Sequence, residues 1–272
     1  MNGMGRTALG VALLTVILLS GCASQTPNLY STLWVQTAAE YRAEALETYS
    51  AAASRLDDAL ADPSWTAALE QTGGYSGLPP AVILDIDETV LDNAPFQGRL
   101  VLDNAPFDPA LWDAWVATEA AEAIPGALEF VKAAIGRDIA VFYITNRTCA
   151  AGDGDNPCPQ EAQTLRNLER LGFPDVSPDR MLLKREKPEW GSEKENRRAA
   201  AAADHRILML IGDDLGDFLP GVKNGVAPGQ RKDLVDRYGD RWGRMWFILP
   251  NPIYGSWERA LTEPKMGHVR GF

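Results

Sequence analysis

Residues 81–89 read AVILDIDET, an aliphatic run closed by two aspartates one residue apart and followed by Glu88 and Thr89. No other stretch constrains the fold as tightly. Apolar and small residues bounded upstream by Pro79 and Pro80 suit a buried strand of a parallel sheet. Asp85 and Asp87 then fall at the carboxyl end of that strand, where open α/β sheets hold their ligands. Alternate residues of a regular strand share a face, but the strand stops here, so the aim of the two side chains stays open. Two carboxylates this close repel and raise one pKa unless a cation neutralises them. The plain alternative is a strand end followed by an aspartate helix cap.

The rest of the chain supplies partners for that strand. Apolar runs recur at 139–144 (IAVFYI), 207–212 (ILMLIG) and 245–249 (MWFIL), with a shorter one at 181–184 (MLLK). Helical stretches fall between them at about 160–171 and 193–203, and Pro125-Gly126 opens another. Strands alternating with helices in this order predict an α/β fold with a doubly wound parallel sheet. Residues 31–61 contain neither Gly nor Pro and carry apolar residues at helical spacing, as one long helix or two. The expected domain is 31–272, with a small helical cap subdomain drawn from about 31–75 and 90–122.

The chain opens on a targeting segment. Arg6 is the single charge among the first 20 residues, and an apolar segment runs from Ala8 to Leu19. A positive start, a short apolar run and a small-residue exit describe a secretory signal, too short for a spanning helix. Leu19-Ser20-Gly21-Cys22 resembles the bacterial lipobox, in which the cysteine is lipidated and becomes the new N-terminus. The expectation is a signal peptide over 1–21, a lipid anchor on Cys22 and a polar tether over 22–30. That places the protein on the bacterial cell envelope, the outer membrane ahead of the inner, facing periplasm or exterior. Cys149 and Cys158 bound a loop rich in Gly, Asp and Pro, and in an oxidising compartment they form a plausible disulfide. A formal net charge of −11 argues against nucleic-acid duplexes and anionic lipid surfaces as partners. Oligomeric state, whether monomer or homo-oligomer, is open.

Chemistry gathers at strand ends in chain order: Asp85 and Asp87, then Thr145, then a lysine, then the acidic cluster GDDLGDF with Asp213, Asp214 and Asp217. This order resembles the haloacid dehalogenase superfamily, and most of all its class C acid phosphatases, the lipoprotein 5′-nucleotidase group. The resemblance spans the mature chain through DIDETVLDN (85–93), IPGALEFV (124–131), ITNR (144–147), GDDLGDF (212–218) and LPNPIYGSWE (249–258).

The resemblance implies a Mg²⁺-dependent phosphatase acting through an aspartyl-phosphate. Asp85 would be the nucleophile and Asp87 the general acid and base. Asp85, the backbone carbonyl of Asp87, and Asp213 would hold the metal, and Asp214 and Asp217 would orient those ligands. Asp217 could equally be a helix cap. Thr145 and the backbone N–H of Asn146 would receive the phosphoryl group. The Ser-x-Lys-x-x-Arg pattern at 192–197 favours Lys194 as the lysine that neutralises phosphate and pins Asp85. Lys184 and Lys187 are the runners-up, because PEWG at 188–191 sits where many relatives are shorter. Tyr254, Trp112 and Phe96 are candidates to stack on a nucleobase, with ordinary packing as the alternative. The substrate class is small phosphate esters, nucleoside monophosphates first. Against this stand a dehalogenase or phosphonatase, which Asp87 disfavours, and a non-catalytic uptake lipoprotein, such as a haem-acquisition factor. The last has only His205 and His268 to offer as axial ligands.

Overall fold

The computed structural model of the chain describes residues 28–150 and 156–272. The signal segment and Cys22 lie outside the described residues. Among those described, no helix is long and apolar enough to cross a membrane.

Three helices come first: α1 (Leu29–Thr37), α2 (Ala39–Ser54) and α3 (Leu56–Ala61). The helical periodicity of 31–61 is real, but the chain breaks at Ala38, which is extended (φ −77°, ψ 127°). Neither Gly nor Pro marks the break. Its cause is tertiary: α1 packs on a later helix, whereas α2 packs on the helix Ala127–Ile135 and the strand Trp246–Ile248, and α3 on the strand Arg206–Gly212.

The first strand, β1 (Pro80–Leu84), is followed by the two-residue β2 (Leu91–Asp92), helices α4 (Ala94–Asp103) and α5 (Pro109–Ala117), and β3 (Glu122–Ala123). β2 and β3 pair antiparallel, and α4 is the partner of α1. Then come α6 (Ala127–Ile135), β4 (Ala140–Thr148), α7 (Pro159–Arg170), β5 (Met181–Lys184), α8 (Glu195–Asp204) and β6 (Arg206–Gly212). α9 (Pro228–Arg237), β7 (Trp246–Ile248) and α10 (Ser256–Arg259) complete the chain.

The main sheet has five parallel strands in the order β5-β4-β1-β6-β7. Ala81, Val82 and Leu84 of β1, and all of β6, are buried, which is why these segments read as unbroken apolar runs. The chain leaves β1 for β4 and β5 on one side, then crosses to β6 and β7 on the other. That reversal opens a crevice at the carboxyl ends of the central strands. The polar groups that follow β1, β4, β5, β6 and β7 therefore converge on one edge of the sheet.

β4 is longer than its apolar run suggests. It continues through Asn146 and Arg147 to Thr148, which pairs with Lys184 after a register shift. At the far edge an aromatic cluster of Phe218, Tyr238, Trp242 and Trp246 fills the space beside β7. Trp246 is fully buried and donates its indole N–H to the Ala67 carbonyl at 2.8 Å.

Candidate active site

A cavity of about 790 Å³ opens at this sheet edge, its floor made by Asp85, Asp87, Lys194, Asp213, Asp214 and Asp217. Asp85 follows β1 directly, its backbone N–H extending the ladder to the Ile211 carbonyl at 2.9 Å. Lys194, at the start of α8, places its ammonium 2.6 Å from Asp85 Oδ1 and 2.6 Å from Asp217 Oδ1. Burial opposes the lysine's charge, but Asp217 and Asp85 outweigh it and hold its pKa above the ordinary value. Asp85 stands at about 6: burial raises it most, Lys194 pulls it down, and Asp217 and Asp87 push it up.

Asp213 follows β6. Its oxygens accept from Thr89 Oγ1 at 3.2 Å and Asn251 Nδ2 at 2.8 Å, both neutral donors. Burial, then Asp217 and Asp85, push it well above the usual carboxylate range. Asp214 caps the short turn Leu215–Asp217, accepting from the Gly216 N–H at 2.8 Å, and takes the N–H and hydroxyl of Ser256 at 2.5 and 2.7 Å. Burial alone would raise its pKa; the Ser256 N–H, Lys223, the Ser256 hydroxyl and the Gly216 N–H lower it instead. Asp217 is both a cap and a site residue: its Oδ2 accepts from the Asp214 N–H at 2.9 Å while Oδ1 meets Lys194. Its side chain folds over Gly212, where a Cβ would collide with it.

Asp87 faces a different set of partners. Arg147, 2 % exposed at the end of β4, donates Nε and Nη2 to Asp87 Oδ1 at 3.0 and 2.9 Å. Asn93 Nδ2 reaches the same oxygen at 3.0 Å. Thr145 Oγ1 lies 3.4 Å from Oδ2 and accepts from the Arg147 N–H at 3.0 Å. The two aspartates of the motif thus have separate cations, Lys194 for Asp85 and Arg147 for Asp87.

Oxygens from Asp85, Asp213 and Asp217 all lie within 4.8 Å of one another. An all-carboxylate donor set suits a hard divalent cation such as Mg²⁺. Asp213, raised by burial and bonded to neutral donors, is short of positive charge in just this place. The residues fit such an ion.

Residues 15–257 match the family described as HAD superfamily, subfamily IIIB (acid phosphatase). The chain belongs to this acid phosphatase family. The class C acid phosphatase of Bacillus anthracis is 32 % identical, with a TM-score of 0.75 over 90 % of this chain and 97 % of that one. The same Bacillus anthracis enzyme with tungstate bound gives 31 % identity and a TM-score of 0.76, covering 92 % and 99 % of the two chains. Acid phosphatase 1 of Solanum lycopersicum is 25 % identical over 185 residues, 63 % of this chain. The chain spans 57 % of that relative's length.

The residues singled out from the sequence, Cys22 apart, fall as follows. Of the three lysines, Lys194 is the one that reaches Asp85. Lys184 lines the cavity half-buried, and Lys187 lies 4.5 Å over the Trp190 ring. Asn146 lines the cavity and is held by Arg197 at 2.8 Å. Trp112 and Tyr254 line it too, and the Tyr254 hydroxyl donates to Glu88. Phe96 does not line it. It is buried behind Trp112, the ring centroids 5.2 Å apart and edge-on. Thr145 is fully buried, its hydroxyl directed at Asp87. Cys149 and Cys158 form the expected disulfide.

Sequence reasoning passed over Arg147, Asn93, Glu88 and Asn251. Each lies inside a quoted motif, so position was the available signal. Glu88 takes a left-handed backbone (φ 57°) in the turn after β1, is buried, and accepts from the Asn93 N–H at 3.1 Å. Burial, then Asp87, Asp213 and Asp92, raise its pKa well above that of an ordinary glutamate.

Proposed function

We propose that the chain hydrolyses phosphate monoesters, nucleoside monophosphates first among them, with Mg²⁺ held by Asp85, Asp213 and the backbone carbonyl of Asp87, Asp217 lying beside them, and a phosphorylated Asp85 as intermediate. The observation that carries this is Asp85 itself, at the floor of a large cavity with one oxygen tied to Lys194. Lys194 holds Oδ1, which leaves Oδ2 as the attacking atom. As Oδ2 bonds phosphorus the ester P–O bond breaks, and the leaving oxygen takes a proton from Asp87. Asp87 Oδ1 is engaged by Arg147 and Asn93, so Oδ2, with its single long contact to Thr145, is the proton-bearing atom. The same oxygen then takes a proton from water, whose attack on phosphorus breaks the P–O bond to Asp85 and releases phosphate. A bound divalent cation supplies the charge neutralisation that lets an anionic ester approach a carboxylate.

Three observations support the substrate and the setting. Tungstate, bound by the Bacillus anthracis relative, is a tetrahedral oxyanion like phosphate. The cavity is nucleotide-sized, with Trp112 and Tyr254 lining it as aromatic surfaces for a base. The disulfide suits an oxidising compartment, in keeping with export and a lipid anchor at Cys22 on the cell envelope, the outer membrane first. The uptake reading finds no support in the histidines: His205 packs edge-on against Phe142, His268 bonds to Thr262, and neither lines the cavity.

The test is phosphate release from nucleoside, sugar and aryl monophosphates, with Mg²⁺ and with EDTA. Metal-dependent release is expected, nucleotides ranking first. A folded, Mg²⁺-loaded protein that releases phosphate from none of these esters would return the site to a binding role.

A further inference from the structure

Lys223 is, among the described residues, a buried cation of the cavity that enters no ion pair. Its side chain is 4 % exposed and lines the floor with Asp214 and Asp217. Among the described residues it has no carboxylate oxygen within 4.0 Å and no hydrogen-bond partner. The neighbouring cations are taken: Lys194 by Asp85 and Asp217, Arg147 by Asp87. Lys184 and Arg259 also line the cavity, but one is half-buried and the other exposed.

The fold makes deliberate room for this side chain. Its aliphatic stem crosses Gly216 in the turn after β6, where an added Cβ would meet Lys223 Cγ at 2.9 Å and Cε closer still. A lysine this buried, with Asp214 and Asp217 near it but no carboxylate at ion-pair distance, is incompletely neutralised, and an arriving anion supplies the missing contact. Lys194 already spends two of its three N–H donors on Asp85 and Asp217, so at most one is left for a phosphate oxygen.

We propose that Lys223 binds a non-bridging oxygen of the substrate's phosphate group and of the inorganic phosphate released from it. This rests on the phosphatase reading of the cavity. Lys223 touches the reacting group but neither attacks nor transfers a proton; it grips the phosphate from the side of the Asp214–Asp217 turn while Lys194 positions the nucleophile.

The test uses the full chain in detergent and the variant Lys223→Met, which keeps the stem over Gly216 and removes the charge. Dissociation constants for inorganic phosphate, tungstate and Mg²⁺ are measured by calorimetry, beside KM, kcat and melting temperature. The expected result is a loss of about tenfold or more in affinity for both oxyanions, with KM rising in step. Mg²⁺ affinity and melting temperature should not fall, and Lys223→Arg should recover part of the oxyanion affinity. Oxyanion binding within about twofold of wild type overturns the proposal. So does a loss matched by equal losses in Mg²⁺ affinity and melting temperature, which would make Lys223 a structural counter-charge. Should Lys223→Met not fold, Lys223→Gln is read in the same way, and failure of both to fold also overturns it. A wild-type chain that binds neither oxyanion would instead overturn the phosphatase reading beneath.

Discussion

Lys194 sits where Asp85 and Asp217 meet, so one ammonium neutralises the proposed nucleophile and a neighbouring carboxylate together. Removing it strands two buried carboxylates, and truncating one partner of such a set costs about 3–5 kcal/mol. That cost falls on stability; separately, loss of the positive charge beside Asp85 in Lys194→Met should lower kcat/KM by about two to three orders of magnitude, as read by steady-state kinetics on an aryl phosphate. Lys184→Met should change it little. A larger loss at Lys184 would put the catalytic lysine in the wrong place. Charge shortage at the floor also sets a pH dependence in the chelated protein. Asp85 is raised to about 6, with burial the largest cause, and burial likewise raises Asp213 and Glu88 well above their ordinary values. Because these folded-state values exceed the unfolded ones, the folded chain binds more protons above pH ~4 and stability declines as pH rises through that window. Thermal unfolding in EDTA should show a falling melting temperature from about pH 4 to 7, and Mg²⁺ should restore more at pH 7 than at pH 5. A melting temperature that climbs with pH in EDTA would contradict this account of the floor.

Elements hold those residues in register, and their cores are where the sequence was most readable. β1 and β6 announce themselves because both faces are buried, so nothing polar interrupts the run. The polar tail of β4 hid its own strand: Thr145 and Arg147 are buried by bonds to Asp87 and Thr164 rather than by apolar neighbours, so periodicity stops where pairing continues. The break at Ala38 and the two-residue β2–β3 pair were equally silent, since each depends on packing partners distant in sequence. The disulfide joins the end of β4 to the start of α7, the two elements that supply Arg147 and Thr164. Closing that loop is worth about 2–3 kcal/mol by chain entropy, so the Cys149→Ser, Cys158→Ser double variant should unfold at correspondingly lower denaturant. Trp246→Ala empties the aromatic cluster under β7 and should cost about 3–5 kcal/mol in the same measurement, far from any change in chemistry.

For the whole molecule, the five-stranded parallel sheet brings groups scattered from Asp85 to Tyr254 to one edge, and the order of motifs along the chain foretold that convergence. The partners within each motif were less legible. Arg147 reads as a surface arginine until its ion pair with Asp87 is seen, and Glu88 as an ordinary turn residue until its burial and its bonds to Asn93 and Tyr254 are seen. The lipid anchor is a claim at this scale too: Cys22→Ser should move the protein from the membrane to the soluble fraction, and continued membrane association would refute it. The central claim is that Asp85 carries the phosphoryl group between the two halves of the reaction. Acid-quenching the enzyme during turnover of an aryl phosphate, then mapping peptides by mass spectrometry, tests it most directly. Phosphate is expected on the peptide bearing Asp85 and absent in Asp85→Asn, which should turn over no ester. Label on another residue, or full turnover by Asp85→Asn, would contradict it.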